Sequence, residues 1–491
     1  MIIILRKVIP IIFLNGFLFF RNCFCSEITK PNVAIIGAGI GGASTSHFLT
    51  KLFDKNLKID IFESKTIGGR LATVKLGNND FEAGGAIIHP RNIYMKYFVK
   101  LLNLHSKTPV PDDTFGIWNG KEFIFKESNW KVITLLKLIF RYGLQPIYLY
   151  RYVGSILNDF DNIYNLQEQG IGYENVTALI SAMNENLINL MQVSIKDHLQ
   201  SLGYGEQLIN ELVKATLVVN YGQDTNVQAF VACVSIAGAG FDLWSIKGGN
   251  KEVPSRLISN NEIVSIIYST VNRIDRLQTE DMPKYEIFYK ENGTESITSK
   301  VYDIVIIAAP MTSDQESLVT FNGFKSSDVQ FLGNYQTTYA TFVAGKVNFS
   351  YFGSKETFSG IISCNPVDTV ISSIGKLTSV NGKRDKGVQV WKVFSRQKLN
   401  STIINKMFSK VHKVKEIKWK AYPQYSSAMR FDKFKVDDFM YYVNAIEWAA
   451  SAMEMSAISG RNAAILAFTD YKRYLSDRKL TTEDQTHSSE L

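Results

Sequence analysis

Apolar residues run without a break through Val33-Ala-Ile-Ile36 and stop at a glycine-rich turn, Gly37-Ala-Gly-Ile-Gly-Gly42, after which Ala43 to Phe53 has the spacing of a helix. A short apolar run closed by turn residues predicts a buried strand. A second strand, Lys58-Ile-Asp-Ile-Phe-Glu63, ends on an acid 21 positions after Gly42. Further on, Asn129 to Val153 mixes Leu, Ile, Tyr and Arg at uneven spacing within a mainly helical stretch. Short strands return at Lys284–Tyr289 and Tyr302–Ala309. Alternating apolar and polar positions between about 320 and 430, with a turn at Asn381-Gly382, predict an antiparallel sheet. An Ala-rich helix is expected from about Trp448 to Tyr474, followed by a polar tail over 476–491. The order of elements predicts an α/β protein with two interleaved parts. One is a discontinuous nucleotide-binding domain over 31–110, 240–320 and 435–475. The other is a mixed α+β substrate domain over 111–239 and 321–434.

The glycines give the first part its chemistry. Gly37 permits a tight turn, Gly39 lets a diphosphate approach the backbone, Gly42 lets the helix pack closely on the strand, and the helix N-terminus attracts negative charge; Gly41 is counted with them as a cofactor-binding position. Glu63 stands where a carboxylate can accept hydrogen bonds from a ribose diol. This unit alone does not separate NAD from FAD. Two later segments do. Ile67-Gly68-Gly69-Arg70 provides a second glycine loop that can wrap a diphosphate, with Arg70 to neutralise it. Phe81-Glu-Ala-Gly84-Gly85-Ala86 is a strand ending in small residues, as needed where a flat ring lies against backbone. Together they resemble the glutathione-reductase-type FAD fold in its amine-oxidase branch. Thr270–Ile274 then resembles the strand whose backbone meets adenine, with Val271 as the contact, and Tyr302–Pro310 the strand that rejoins the domain. The Ala-rich helix resembles the one whose N-terminus faces the flavin, which would place Glu447, Ser451 and Met453 at the cofactor.

Composition narrows the setting. The chain begins with Arg6-Lys7 and a 13-residue apolar run, Val8–Phe20, too short to span a bilayer and followed by small residues before Ser26. Residues 1–25 are therefore expected to be a signal peptide. Removing Arg6, Lys7 and Arg21 leaves 51 basic against 46 acidic residues, a mild and unclustered excess that gives no support to nucleic-acid binding. Of the four cysteines, Cys233 and Cys364 remain, which allows one bridge or two free thiols. Sequons at Asn175, Asn292, Asn348 and Asn400 are candidate glycan sites on a secretory route. No metal-ligand, Ser-His-Asp, CxxC or HExxH pattern is evident.

A more specific resemblance covers about residues 31–475. The segments IGAGIGG, IGGRLAT, FEAGG-x-IIHP, ESNW (127–130), Arg141-Tyr142-Gly143, NYGQ (220–223), W-x-x-x-GGNK (244–251), AYP-x-Y (421–425) and ASAMEMSAISG are similar to the prenylcysteine oxidase family. The resemblance implies a glycosylated lysosomal or secreted flavoprotein. Its expected reaction is oxygen-dependent cleavage of the thioether of farnesyl- or geranylgeranyl-cysteine to a prenyl aldehyde, cysteine and peroxide. Such chemistry asks mainly for alignment of the allylic carbon with the flavin, so no strong base is required. His89 is the candidate to face the ring or orient water, against a plain structural role. Arg91 and Arg430 are candidates for the substrate carboxylate. The Trp130–Tyr152 segment is open to three readings: core packing, a lining for the prenyl chain, or contact with a membrane surface. Two other functions stay open on sequence alone: an FAD oxidase of amines or amino acids, and a non-catalytic secreted binder on the same scaffold.

Overall fold

Residues 30–107, 114–240, 242–279, 281–325, 329–382, 387–428 and 433–488 are described by a computed structural model. The expected leader (1–25) and Arg430 lie outside the described residues. The strand β1 (Asn32–Ile36) pairs in parallel with β2 (Lys58–Glu63) on one side and with Ile304–Ile307 on the other. The parallel core is extended by Val264–Leu277 beyond β2 and Met440–Tyr442 beyond Ile304–Ile307. Both faces of this core are covered, which is why Val33–Ile35 and Ile304–Ile307 can be apolar at every position. Antiparallel strands finish both edges, making a nine-stranded sheet. Three distant pieces of chain thus build one sheet.

Helix α1 (Ile40–Leu52) follows β1 directly, and the C-terminal helix (Met453–Ser488) crosses it. The crossing is close because Gly460 has no side chain. A Cβ there would lie 2.4 Å from Ser44 Oγ and 2.9 Å from the Gly41 carbonyl. This helix differs from the sequence expectation at both ends. It begins at Met453, after a 3₁₀ turn over Val443–Trp448, so Glu447 and Ser451 precede it. It also continues through most of the expected tail, since neither Pro nor Gly interrupts residues 461–488.

A seven-stranded sheet forms the second layer: Phe408–Pro423, Tyr335–Val347, Val390–Ser395, Ile371–Lys376, Gly360–Ser363, Phe115–Trp118 and Phe123–Lys126. The antiparallel pattern expected for 320–430 is present, with one addition. The last two strands come from a region read as mainly helical, and Gly360–Ser363 meets Phe115–Trp118 in parallel. The hairpin of β3 (Thr73–Leu76) and β4 (Asn79–Glu82) packs on this second sheet, and helix α2 (Ile93–Leu101) packs on α1 and the C-terminal helix. The remaining helices include α3 (Lys131–Tyr142) and α4 (Gln145–Phe160).

Candidate cofactor site

The two glycine loops meet. Gly39 and Gly68 form a parallel bridge, and the Gly68 amide donates to the Ala38 carbonyl at 2.9 Å. Gly37 has φ +106°, and a Cβ on it would lie 2.7 Å from the Ala308 carbonyl, so the fold itself requires glycine there. Gly39 is different. Its φ of −73° suits any residue, and a Cβ would find only the Gly68 carbonyl, at 3.8 Å. Among the described residues nothing requires glycine at 39, and the open backbone at the start of α1 would fit a diphosphate. Gly69 sits across from it, its nearest neighbour the Gly39 Cα. Gly41 faces Val443 of the C-terminal segment, and Gly42 is pressed onto the Gly37 carbonyl.

Glu63 is 8% exposed. Its carboxylate accepts from the Ala38 amide at 2.9 Å and the Lys65 amide at 2.8 Å, which fixes it beside the loop with lone pairs to spare for a diol. The strand Val264–Leu277 pairs with β2 as far as Tyr268, opposite Glu63, and with Thr320–Asn322 from Arg273 onward. Val271 falls between, where that edge of the strand has no partner strand among the described residues.

Arg70 and Glu447 are brought together rather than set to separate tasks. The Arg70 guanidinium holds both carboxylate oxygens of Glu447, with Nη1–Oε2 at 3.0 Å, and also donates to the Ala421 carbonyl at 2.8 Å. Sequence reading assigned Arg70 to the diphosphate and Glu447 to the ribityl or diphosphate region. The structure instead matches a nearly buried carboxylate, 1% exposed, with its counter-charge. Tyr335 Oη and Asn444 Nδ2 complete the shell at 2.9 and 2.8 Å. Burial works against the guanidinium charge, and the neighbouring carboxylate more than offsets it, holding Arg70 above its usual range.

The turn between Glu447 and Met453 is fastened by residues that carried no role in the sequence. Tyr425 Oη donates to the Glu447 carbonyl at 3.0 Å and accepts from the Ser451 amide at 2.9 Å. Tyr221 Oη donates to the Ser451 carbonyl, and Gln228 Nε2 to the Trp448 and Ala449 carbonyls. Gln223 ties Tyr425 and Pro423 together. The segments NYGQ and AYP-x-Y are thus supports for this turn, a purpose that only spatial proximity reveals. On the opposite side, Glu82 accepts from the Asn250 amide at 2.7 Å, and Asn250 Nδ2 donates to the Gly85 carbonyl at 2.9 Å. Gly84 is pressed on the Arg70 carbonyl, Gly85 packs near Leu71 and Met453, and Ala86 is half-buried. The small-residue strand end and the start of the C-terminal helix therefore share one place.

His89 is half-buried. Its Nδ1 accepts from the Arg91 amide at 3.2 Å, and burial lowers its pKa. The Arg91 side chain is turned to Asp161 and the Leu157 carbonyl, so its charge is already matched. Cys233 and Cys364 are free, buried thiols, pushed up to about 12 and about 11 by burial. Asn175 and Asn400 cap short helices through their side-chain oxygens. Asn292 and Asn400 are exposed, while Asn175 and Asn348 are half-buried.

Glu454 is the residue whose weight the sequence hid, although an acid inside an Ala-rich apolar helix is itself a signal. It is buried and accepts from the Tyr94 and Met95 amides at 2.6 and 3.0 Å and from Tyr164 Oη at 2.9 Å, joining the C-terminal helix to the first turn of α2. Burial raises its pKa from 4.5 to about 7. A carboxyl raised by folding stabilises the folded state fully below about 4.5 and loses that contribution as pH climbs through about 7. Glu454→Gln is therefore expected to lose more thermal stability relative to the parent at pH 5 than at pH 8. Melting curves at the two pH values check this, and an equal loss at both would contradict it.

Comparison with known proteins fits this geometry. A model of the prenylcysteine lyase family matches residues 125–478, and one of NAD(P)-binding Rossmann-like domains matches 35–102. Prenylcysteine oxidase 1 of Mus musculus is 38% identical over 472 residues, covering 93% of this chain and 92% of the relative. The Homo sapiens protein of the same name is 36% identical, covering 91% and 92%. Prenylcysteine oxidase 1-like of Bos taurus is 33% identical, covering 94% of each. Among solved structures, putrescine oxidase bound to putrescine superposes with TM-score 0.56 at 13% identity, covering 89% of this chain and 98% of that one. Cyclohexylamine oxidase from Brevibacterium oxydans gives 0.57 at 12%, covering 90% and 100%. At such identities these two establish the fold alone, the Rossmann-based α/β fold of amine oxidases. The agreement with the family model and with relatives along nearly their whole length settles descent: this chain belongs to the prenylcysteine lyase family.

Proposed function

We propose that this chain is an FAD-dependent oxidase that cleaves the thioether of prenylcysteines. In the balanced reaction the S-prenyl compound, O2 and water give a prenyl aldehyde, free cysteine and H2O2. The allylic carbon beside sulfur is oxidised, dioxygen is reduced, water adds to the carbon, and the carbon–sulfur bond breaks with sulfur leaving as the thiol. The observation that carries the reading is the convergence of two glycine loops, Glu63 and the turn before Met453 at one end of a parallel sheet, in a member of this family.

When bound, FAD supplies the two-electron acceptor that O2 reoxidises. The backbone at Gly37, Gly39, Gly42, Gly68 and Gly69 would hold the diphosphate, Glu63 the ribose, and the strand edge at Val271 the adenine. Gly84, Gly85, Ala86, Ser451 and Met453 would border the ring. The N-terminal end of the C-terminal helix offers partial positive charge there, and Tyr221 and Tyr425 hold that end still through Ser451. His89, its pKa lowered by burial, is the candidate to orient water. The protein is read as entering the secretory route through residues 1–25, carrying glycans at exposed sequons such as Asn292 and Asn400, and working in the lysosome or outside the cell.

Full-length protein secreted from a eukaryotic host tests these points together. It is expected to be yellow, to lose mass on enzymatic deglycosylation, and to turn farnesylcysteine into farnesal, cysteine and peroxide. Flavin-loaded protein that makes peroxide from putrescine and leaves the thioether untouched would overturn the substrate assignment.

A further inference from the structure

The hairpin of α3 and α4 gathers many of the exposed large apolar side chains of the described residues. In α3 only Tyr142 is buried, although the helix reads Lys-Val-Ile-Thr-Leu-Leu-Lys-Leu-Ile-Phe-Arg-Tyr. Phe140 is 95% exposed and Trp130, just before the helix, 73%; Val132 and Leu136 are also open, as are Tyr148 and Tyr150 on α4. A contiguous exposed apolar face of this kind marks a contact site.

Charge identifies the occupant. Between Asn129 and Asn158 there is no Asp or Glu, while Lys131, Lys137, Arg141 and Arg151 are all basic. Arg141 is spent on Glu211, anchoring the hairpin to the helical region at 2.6 and 2.7 Å. Lys131, Lys137 and Arg151 make no salt bridge among the described residues, the Lys137 ammonium donating only to the Lys126 carbonyl. Cations beside bare Leu, Phe, Trp and Tyr fit an anionic lipid surface, where aromatic rings settle at headgroup level and acyl chains take the aliphatic side chains. A second copy of the chain fits less well, because it would set like charges against each other.

Length decides how the hairpin meets the lipid. No single described helix is long and apolar enough to cross a membrane, and the axes of Lys131–Tyr142 and Gln145–Glu168 are bent by 101°. The 12 residues of α3 reach about 18 Å, well under a bilayer core of about 30 Å. The two helices reach that length and apolar character only together, as this bent pair, and α4 buries Leu149, Val153 and Ile156 inside the protein, which fits a hairpin lying in the interface. Its inner end is tied to the candidate site: Arg91, two residues after His89, donates to the Leu157 carbonyl and pairs with Asp161 at the end of α4. We propose that α3–α4 is a docking element that seats the protein on an anionic lipid surface through Trp130, Leu136, Phe140 and the neighbouring cations. The proposal does not depend on the thioether chemistry, and its test does not involve turnover.

The experiment is sedimentation of the full chain with vesicles of phosphatidylcholine alone or with phosphatidylserine added, at low and high salt. The parent is expected to sediment with the phosphatidylserine vesicles and to be released by salt. The double variant Leu136→Ser/Phe140→Ser changes exposed positions only, so circular dichroism should stay native while partitioning drops at least tenfold. Lys131→Gln/Arg151→Gln should lose about fivefold per cation at low salt, with the difference fading at high salt. The idea is overturned by a parent that stays in the supernatant, by equal binding to both vesicle types, or by undiminished binding of the serine variant. It is also overturned if the parent is a dimer in solution that the serine variant dissociates, since a second copy would then cover the hairpin.

Discussion

Gly39→Val is expected to give a folded, colourless protein. Valine is compatible with the backbone at that position, and its Cβ meets nothing closer than the Gly68 carbonyl at 3.8 Å. Its methyl groups would stand where the diphosphate must approach. The variant should therefore melt like flavin-free parent and gain no stability from added FAD, whereas the parent gains about 4 kcal/mol at a thousandfold excess over its dissociation constant. Gly42→Ala is the contrast. A Cβ there lies 2.0 Å from the Gly37 carbonyl, so the smallest side chain should break the turn and cost folding itself. Absorption spectra and melting curves of the two variants, with and without FAD, separate ligand loss from fold loss. Stoichiometric FAD in Gly39→Val would remove the proposed placement of the diphosphate.

The second large effect concerns the Arg70–Glu447 pair, and it is asymmetric. Arg70→Ala leaves a carboxylate at 1% exposure with only Tyr335 and Asn444 as donors, and breaking a buried pair this way costs about 3–5 kcal/mol. Glu447→Ala strands the guanidinium instead, but a third of the Arg70 side chain reaches solvent and the Ala421 carbonyl still accepts from it. Its cost should fall at the low end, about 3 kcal/mol. Urea midpoints of the two flavin-free variants at pH 7 test the order. An Arg70→Ala midpoint equal to that of the parent, or one higher than that of Glu447→Ala, would contradict this account.

The strand–glycine–helix–strand–acid order over residues 33–63 was legible because each step is local. An apolar run makes a strand, glycine makes the turn, and the acid ends the next strand. The glycine loop at 68–69, the small residues at 84–86 and the apolar strand at 304–307 were readable for the same reason. What stayed hidden lies far apart in sequence. Arg70 and Glu447 are 377 positions apart, and Arg70 looks unpaired until the fold closes. Phe115–Trp118 and Phe123–Lys126 are too short to outweigh the helical run beside them, and they become strands only because Gly360–Ser363 offers an edge. Glu454 received no role in the sequence, because the α2 amides it accepts from are about 360 positions away. Nor could periodicity tell whether the apolar face of α3 is covered, since the pattern is the same for a core helix and for one left bare. The sequence alone determined the nucleotide-binding unit and its family, because those rest on short segments whose geometry follows from their own residues. Only the tertiary structure decided which charges pair, which turn Tyr221 and Tyr425 fasten, and which apolar helix faces outward, because burial and counter-charge are properties of neighbours that the chain meets only when folded.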